Sequence, residues 1–119
     1  MTLVYLVLVL HFIADFTCQT RWMAENKCKS LYALGSHIAA YSLVFFIALS
    51  ILNLFGVVGN FWPEYVILNG MLHFLTDYYT SRMTKKFANQ FRWYEFFLVL
   101  GCDQLIHQFC LIGTLFLIS

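Results

Sequence analysis

The sequence predicts an all-α, polytopic membrane protein built as a bundle of four transmembrane helices. Three observations carry that expectation. Hydrophobic residues make up 61% of the chain and charged residues only 11%, far from the balance of a water-soluble domain. Four apolar stretches, at about residues 2–19, 31–55, 63–82 and 94–118, are each long enough as a helix to cross a hydrocarbon core of roughly 30 Å. All seven Lys and Arg residues fall in just two of the three connections.

The first stretch has neither a basic leader nor a small-residue cleavage site and carries His11 and Asp15, so it is expected to remain as a helix rather than be removed as a signal peptide. The second carries His37. The third opens on Pro63, which suits a first helical turn, and carries His73 and Asp77; the fourth carries Asp103 and His107. A spanning segment must satisfy its own backbone hydrogen bonds, and these lengths suit helices rather than barrel strands. Trp22, Trp62 and Trp93 all fall at expected helix ends, where an indole keeps its ring in the interface and its N–H in water. The chain reads as one integral membrane domain over residues 1–119.

Arg21, Lys27 and Lys29 lie between helices 1 and 2, and Arg82, Lys85, Lys86 and Arg92 between helices 3 and 4, whereas Asn53 to Glu64 holds no basic residue. Basic loops stay on the cytoplasmic side, so the expectation is an inner (cytoplasmic) membrane protein with both termini outside. A net charge of +1 offers nothing to nucleic acid; the partners expected are membrane lipid and, through an apolar face, a second copy of the chain. Cys18, Cys28, Cys102 and Cys110 form no C-x-x-C pair, so no disulfide framework is expected, and a small apolar packing role suits them better than ligation.

All three aspartates are paired with a histidine four residues away: His11 with Asp15, His73 with Asp77, and Asp103 with His107. Residues four apart share one face of a helix, so each pair presents two side chains in one direction. Helix 4 runs opposite to helices 1 and 3, and its order is reversed, which puts the three aspartates in one layer nearer the cytoplasm and the three histidines in a deeper one. His37, near the start of helix 2, joins the aspartate layer. There is also a weak internal repeat: Leu10–Phe16 reads LHFIADF and Leu72–Tyr78 reads LHFLTDY. Helices 1–2 and 3–4 then form parallel copies related by an axis along the membrane normal.

Ionisable groups at this depth cost about 2.5–3.5 kcal/mol each on insertion scales and mark functional sites. With no Lys or Arg inside the helices, three converging carboxylates need a cation, and two divalent ions with one bridging hydroxide balance them. His11, Asp15, His37, His73, Asp77, Asp103 and His107 are the expected ligands, the three aspartates also the catalytic candidates. Imidazole and carboxylate donors suit zinc first, then manganese or iron. Gln19 extends the first stripe by a turn, and Asn69 and Ser81 extend the third; these are expected to orient ligands or water. Arg21, Lys27, Lys85 and Lys86 are candidates to hold a phosphate or lipid headgroup at the opening.

The stretch His11–Phe16 (HFIADF) with Gln19, Trp22, Met23 and Lys27, then His37, His73–Asp77 (HFLTD) and Asp103–His107 (DQLIH), resembles the small bacterial and phage membrane proteins grouped only as a domain of unknown function. That resemblance covers nearly the whole chain and implies no reaction. A looser resemblance, in size and His/Asp content, is to membrane-bound metal-dependent hydrolases. The expected function is therefore metal-dependent hydrolysis, at a dinuclear site, of an ester or phosphoester in a lipid or lipid-linked substrate. Metal or proton transport and a metal-stabilised scaffold without turnover are the alternatives.

Overall fold

The structure, a computed structural model, describes all 119 residues, and every regular element is helical. Helix α1 (Thr2–Phe12) runs without a break into a π-helical turn (Ile13–Thr17), in which the Cys18 amide donates five residues back to Ile13 at 2.9 Å. A short helix α2 (Arg21–Asn26) follows, capped by the Thr20 hydroxyl, which accepts from the Met23 amide. Then come α3 (Leu31–Leu54), α4 (Trp62–Asn89) and α5 (Trp93–Ile118). Ser30 caps α3 in the same way, and Pro63 lies in the first turn of α4 as its sequence position implied.

Six of the eight ends of the apolar stretches fall within one residue of a helix end, and the two larger differences are physical. Helix α4 continues beyond residue 82 because Met83, Lys85, Lys86 and Ala88 are good helix formers, although they are not an apolar run. The first helix closes at Thr17, short of residue 19, because the π turn is followed by an irregular link that leads into α2.

Helix α1 packs on α3 and α5, α3 on α4, and α4 on α5, so the four long helices close a ring with α1 diagonal to α4. Each turns one stripe inward at a spacing of three or four residues: His37, Tyr41, Phe45 and Leu49 on α3, and Asn69, His73, Asp77 and Ser81 on α4. Toward the connection at residues 55–61 the interior is apolar, with Val7, Phe45, Leu49, Tyr65, Leu111 and Leu115 packed together. Ten of the 24 buried residues are nonetheless polar or charged, and all but Asn69 and Thr114 gather toward the other end. Two helices, α3 and α5, are long and apolar enough to cross a membrane.

Candidate metal centre

The structure brings all seven expected ligands together in the bundle interior. All are buried, from His37 with no exposure to Asp103 with 7%. They sort into two groups that share one residue. Asp15, His37, His73 and Asp77 form the first, and Asp77, Asp103 and His107 the second; within each group the donor atoms lie within 4.8 Å of one another.

In the first group the two imidazole Nε2 atoms are 3.1 Å apart. His37 Nε2 is 3.1 Å from Asp15 Oδ1 and 3.2 Å from Asp77 Oδ2, and His73 Nε2 is 3.4 and 3.5 Å from the same two oxygens. Four donors at 2.0–2.1 Å around a tetrahedral ion stand about 3.3–3.4 Å from one another, which these five separations bracket. Hydrogen bonds alone account poorly for the cluster. Each imidazole offers at most one hydrogen at this point and the carboxylate oxygens only accept, whereas a cation satisfies all four lone pairs together. The second group has three donors, with His107 Nε2 3.1 Å from Asp77 Oδ1 and 3.3 Å from Asp103 Oδ1. Asp77 thus gives one oxygen to each group. The residues present fit a metal ion, and the buried His/Asp groups can hold one.

His11 belongs to neither group, which corrects its place in the expected ligand set. The Gln104 amide nitrogen lies 3.1 Å from Asp15 Oδ2 and 3.0 Å from Asp103 Oδ2, and carboxylates accept, so this end of the amide is its NH2. Gln104 Oε1 therefore faces His11 Nε2, at 3.1 Å, and that nitrogen must carry the hydrogen. His11 Nδ1 is left to accept from the Tyr41 hydroxyl at 3.2 Å. Both ring nitrogens are engaged in hydrogen bonds, and His11 contacts Gln104 with Asp15 Oδ2 3.6 Å from its Nε2.

The Nδ1 atoms of His37 and His73 have no hydrogen-bond partner. Ligating histidines commonly donate that N–H to an acceptor. Here the His73 ring is held by packing instead, with Tyr41 and His107 both stacked on it at 4.0 and 4.1 Å between centroids, and the His37 ring lies tilted against it at 5.2 Å. Thr80 donates to Asp103 Oδ1 at 2.6 Å.

Lys27 reaches into the bundle from the turn after α2 and pairs with Asp77 Oδ2 at 2.8 Å, its side chain only 17% exposed. The absence of Lys and Arg from the inward stripes therefore does not leave the carboxylates without a protein cation. Three buried carboxylates against one ammonium still leave excess negative charge, costly in a dry interior unless a metal ion, or protons on the neighbouring imidazoles, compensate it.

A cavity of about 630 Å³ opens beside the two groups, with Asp15 and Asp103 in its wall together with Lys27, Lys29 and Lys85. Of the residues expected around the ligands, Gln19 and Ser81 also line it, and the Gln19 Oε1 and Ser81 Oγ atoms are buried without a partner. Asn69 is corrected: it sits a turn deeper, donating to Tyr65 O and to Thr114 Oγ1, and ties α4 to α5 without touching a ligand. Arg21 pairs with Glu25 on the exposed face of α2, and neither Arg21 nor Lys86 lines the cavity. The four cysteines are free and stand outside both donor groups.

The family model described as "Protein of unknown function (DUF3307)" matches residues 3–118. The chain belongs to that family. The match takes in α1 through α5 and every donor of both groups, as the resemblance of the HFIADF, HFLTD and DQLIH segments implied. Comparison with curated proteins and with solved structures gives no match.

Proposed function

We propose that the protein is a metal-dependent hydrolase embedded in the inner membrane, with a dinuclear centre that attacks a lipid or lipid-linked ester or phosphoester from the cytoplasmic side. The observation that carries this reading is the pair of donor groups joined through Asp77, one with four donors and the other with three donors beside a cavity. A four-donor group suits a closed ion, and a three-donor group leaves a coordination position for water or substrate. A divalent ion there lowers the pKa of bound water and polarises a carbonyl or phosphoryl oxygen, the chemistry of hydrolysis. Imidazole and carboxylate donors at near-tetrahedral spacing favour zinc, with manganese or iron next.

The protein's own residues supply the rest. Asp77 joins the two groups, Asp15 and His37 close the first, and Asp103, fixed by Thr80 and Gln104, faces the cavity. Lys27 offsets part of the carboxylate charge, so two divalent ions with one hydroxide leave the centre with net positive charge, which suits an anionic substrate.

Four spans, rather than two, are supported by an inside-out distribution. The inward stripe of α4 lowers its average hydropathy, but its outer face exposes Ile67, Met71, Leu75 and Tyr79 in one stripe of four-residue spacing. Helix α1 and its π turn expose Val9, Phe12 and Phe16 likewise. Exposed apolar faces around a polar interior are what a bilayer stabilises. Below the histidines the interior is closed by Phe45, Leu49, Leu111 and Leu115, which argues against a conduit for metal or protons.

The test is hydrolysis of a panel of lipid esters and phosphoesters by the zinc-loaded protein in proteoliposomes. Asp103→Asn should lower turnover by about a thousandfold or more, as loss of a group acting on the reacting centre does. Its retained four-donor group should keep one ion. No hydrolysis across the panel by the wild-type protein, or turnover that Asp103→Asn leaves unchanged, would contradict the assignment.

A further inference from the structure

We propose that the cavity beside the donor groups is a subsite for the dianionic phosphate of a phosphate monoester, held by Lys27, Lys29, Lys85 and the Ser81 hydroxyl. This rests on the hydrolase reading and names its substrate class. Three lysines line one cavity of about 630 Å³, and a smaller void of about 70 Å³ shares Lys27, Ser81 and Asp103 with it and also touches Asp77. Polar side chains thus lie between the cavity and the open donor group.

Ser81 is the independent sign of a ligand here. It is 92% buried by its 8% exposure, its Oγ has no hydrogen-bond partner, and it borders both spaces. A buried hydroxyl without a partner is costly, and a phosphate oxygen would accept from it. Sequence spacing explains the placement: His73, Asp77, Ser81 and Lys85 follow one another at four-residue intervals along the inner face of α4. That stripe passes from ligand to hydroxyl to ammonium as it nears the opening. An ammonium has three hydrogens and Lys27 spends one on Asp77, so two remain for an anion. Glu25 also lines the cavity, but its carboxylate is paired with Arg21 at 2.8 Å.

The cavity has an apolar side as well. Phe16 at the π turn and Phe96 and Leu100 on α5 form its wall, and Phe16 and Leu100 also reach the outer surface, at 46% and 37% exposure. An alkyl substituent on the ester oxygen can leave between them toward lipid while the phosphate stays among the lysines. In the reaction, water adds to phosphorus, the bond from phosphorus to the ester oxygen breaks, and that oxygen takes a proton. The products are inorganic phosphate and the alcohol, with no change of oxidation state.

The experiment is titration of inorganic phosphate into the zinc-loaded, full-length protein in phosphatidylcholine nanodiscs, with metal content measured on the same samples. Lys29→Gln/Lys85→Gln should weaken phosphate binding by about tenfold or more, and Ser81→Ala by severalfold, with metal content unchanged. Should the double variant fail to fold, Ser81→Ala and Lys85→Gln alone carry the comparison. Phosphate affinity equal to wild type in the folded variants, or no phosphate binding by wild-type protein that holds its metal, overturns the subsite and leaves the metal centre standing. Protein that takes up no metal overturns the hydrolase reading, while the lysine dependence of phosphate binding is still read directly. Competition separates the sources: phosphatidate in the nanodisc displacing phosphate better than soluble glycerol 3-phosphate assigns a lipid monoester, and equal displacement assigns the phosphate group alone. Either result supports the subsite.

Discussion

At Gln104 one buried amide touches three groups: its nitrogen donates to Asp15 and Asp103, which belong to different donor groups, and its oxygen accepts from His11. Each of those carboxylates thereby has one oxygen bonded to the amide and turns the other to its own group, Asp15 Oδ1 to the histidines and Asp103 Oδ1, which also accepts from Thr80, to His107. Gln104→Leu should lower metal affinity by about tenfold to a hundredfold, the usual effect of removing a group that orients ligands, and a chelator competition titration would read it. His11→Gln should keep the same number of bound ions, since its ring nitrogens are already hydrogen-bonded; loss of an ion there would show that His11 is a ligand after all. Tyr41 was missed, although its spacing four residues beyond His37 on the same stripe could have placed it beside the site. Gln104 was not legible: one residue past Asp103, it is turned by about 100° from the stripe and reaches the site only through its length. Lys27 was read as a contact at the opening because the fold of the α2–α3 connection, which no periodicity reports, decides where its ammonium goes.

Helical periodicity made most of the elements legible. Apolar runs located α3 and α5 to within a residue, and the four-residue spacing of His and Asp located the inward stripes. The π turn escaped because nothing in Ile13–Thr17 distinguishes a five-residue backbone bond from a four-residue one. It lies in the first copy of the repeat, and a shift of 62 residues takes His11 and Asp15 onto His73 and Asp77, where α4 is regular. Wide turns of this kind recur at functional sites, and this one carries Asp15. The same shift sets Tyr41 and Phe45 against Asp103 and His107, so both copies keep an inward stripe while only α5 supplies a ligand pair from it. Between α3 and α4 the contact is tight at Gly70, where an added Cβ would come within 2.7 Å of Ser42 Oγ. Rotation of the serine can relieve alanine, but Gly70→Ile should destabilise the bundle by about 1–3 kcal/mol. Thermal unfolding in detergent would show it as a lowered Tm, and an unchanged Tm would mean that α3 and α4 pack less closely.

For the molecule as a whole, the His and Asp side chains face inward while large apolar side chains cover much of the outer surface, and all seven basic residues gather around the end that holds the cavity. In the proposed four-span arrangement the positive-inside rule expects that end in the cytoplasm. In a background without native cysteines, Asn60→Cys should react with an impermeant maleimide on intact spheroplasts and Asn89→Cys only after permeabilisation; the reverse pattern would invert the topology. Three carboxylates and the three imidazoles of the two donor groups are buried inside this bundle against a single lysine, and a bound cation is the economical reason for that arrangement. The most direct measurement is metal content per chain by elemental mass spectrometry, on protein purified without added metal and on an Asp77→Ala variant. Two ions of zinc, manganese or iron are expected in the wild-type protein, and loss of both in the variant, because Asp77 serves both groups. Protein that carries none of these metals and takes up none on reconstitution would contradict that expectation.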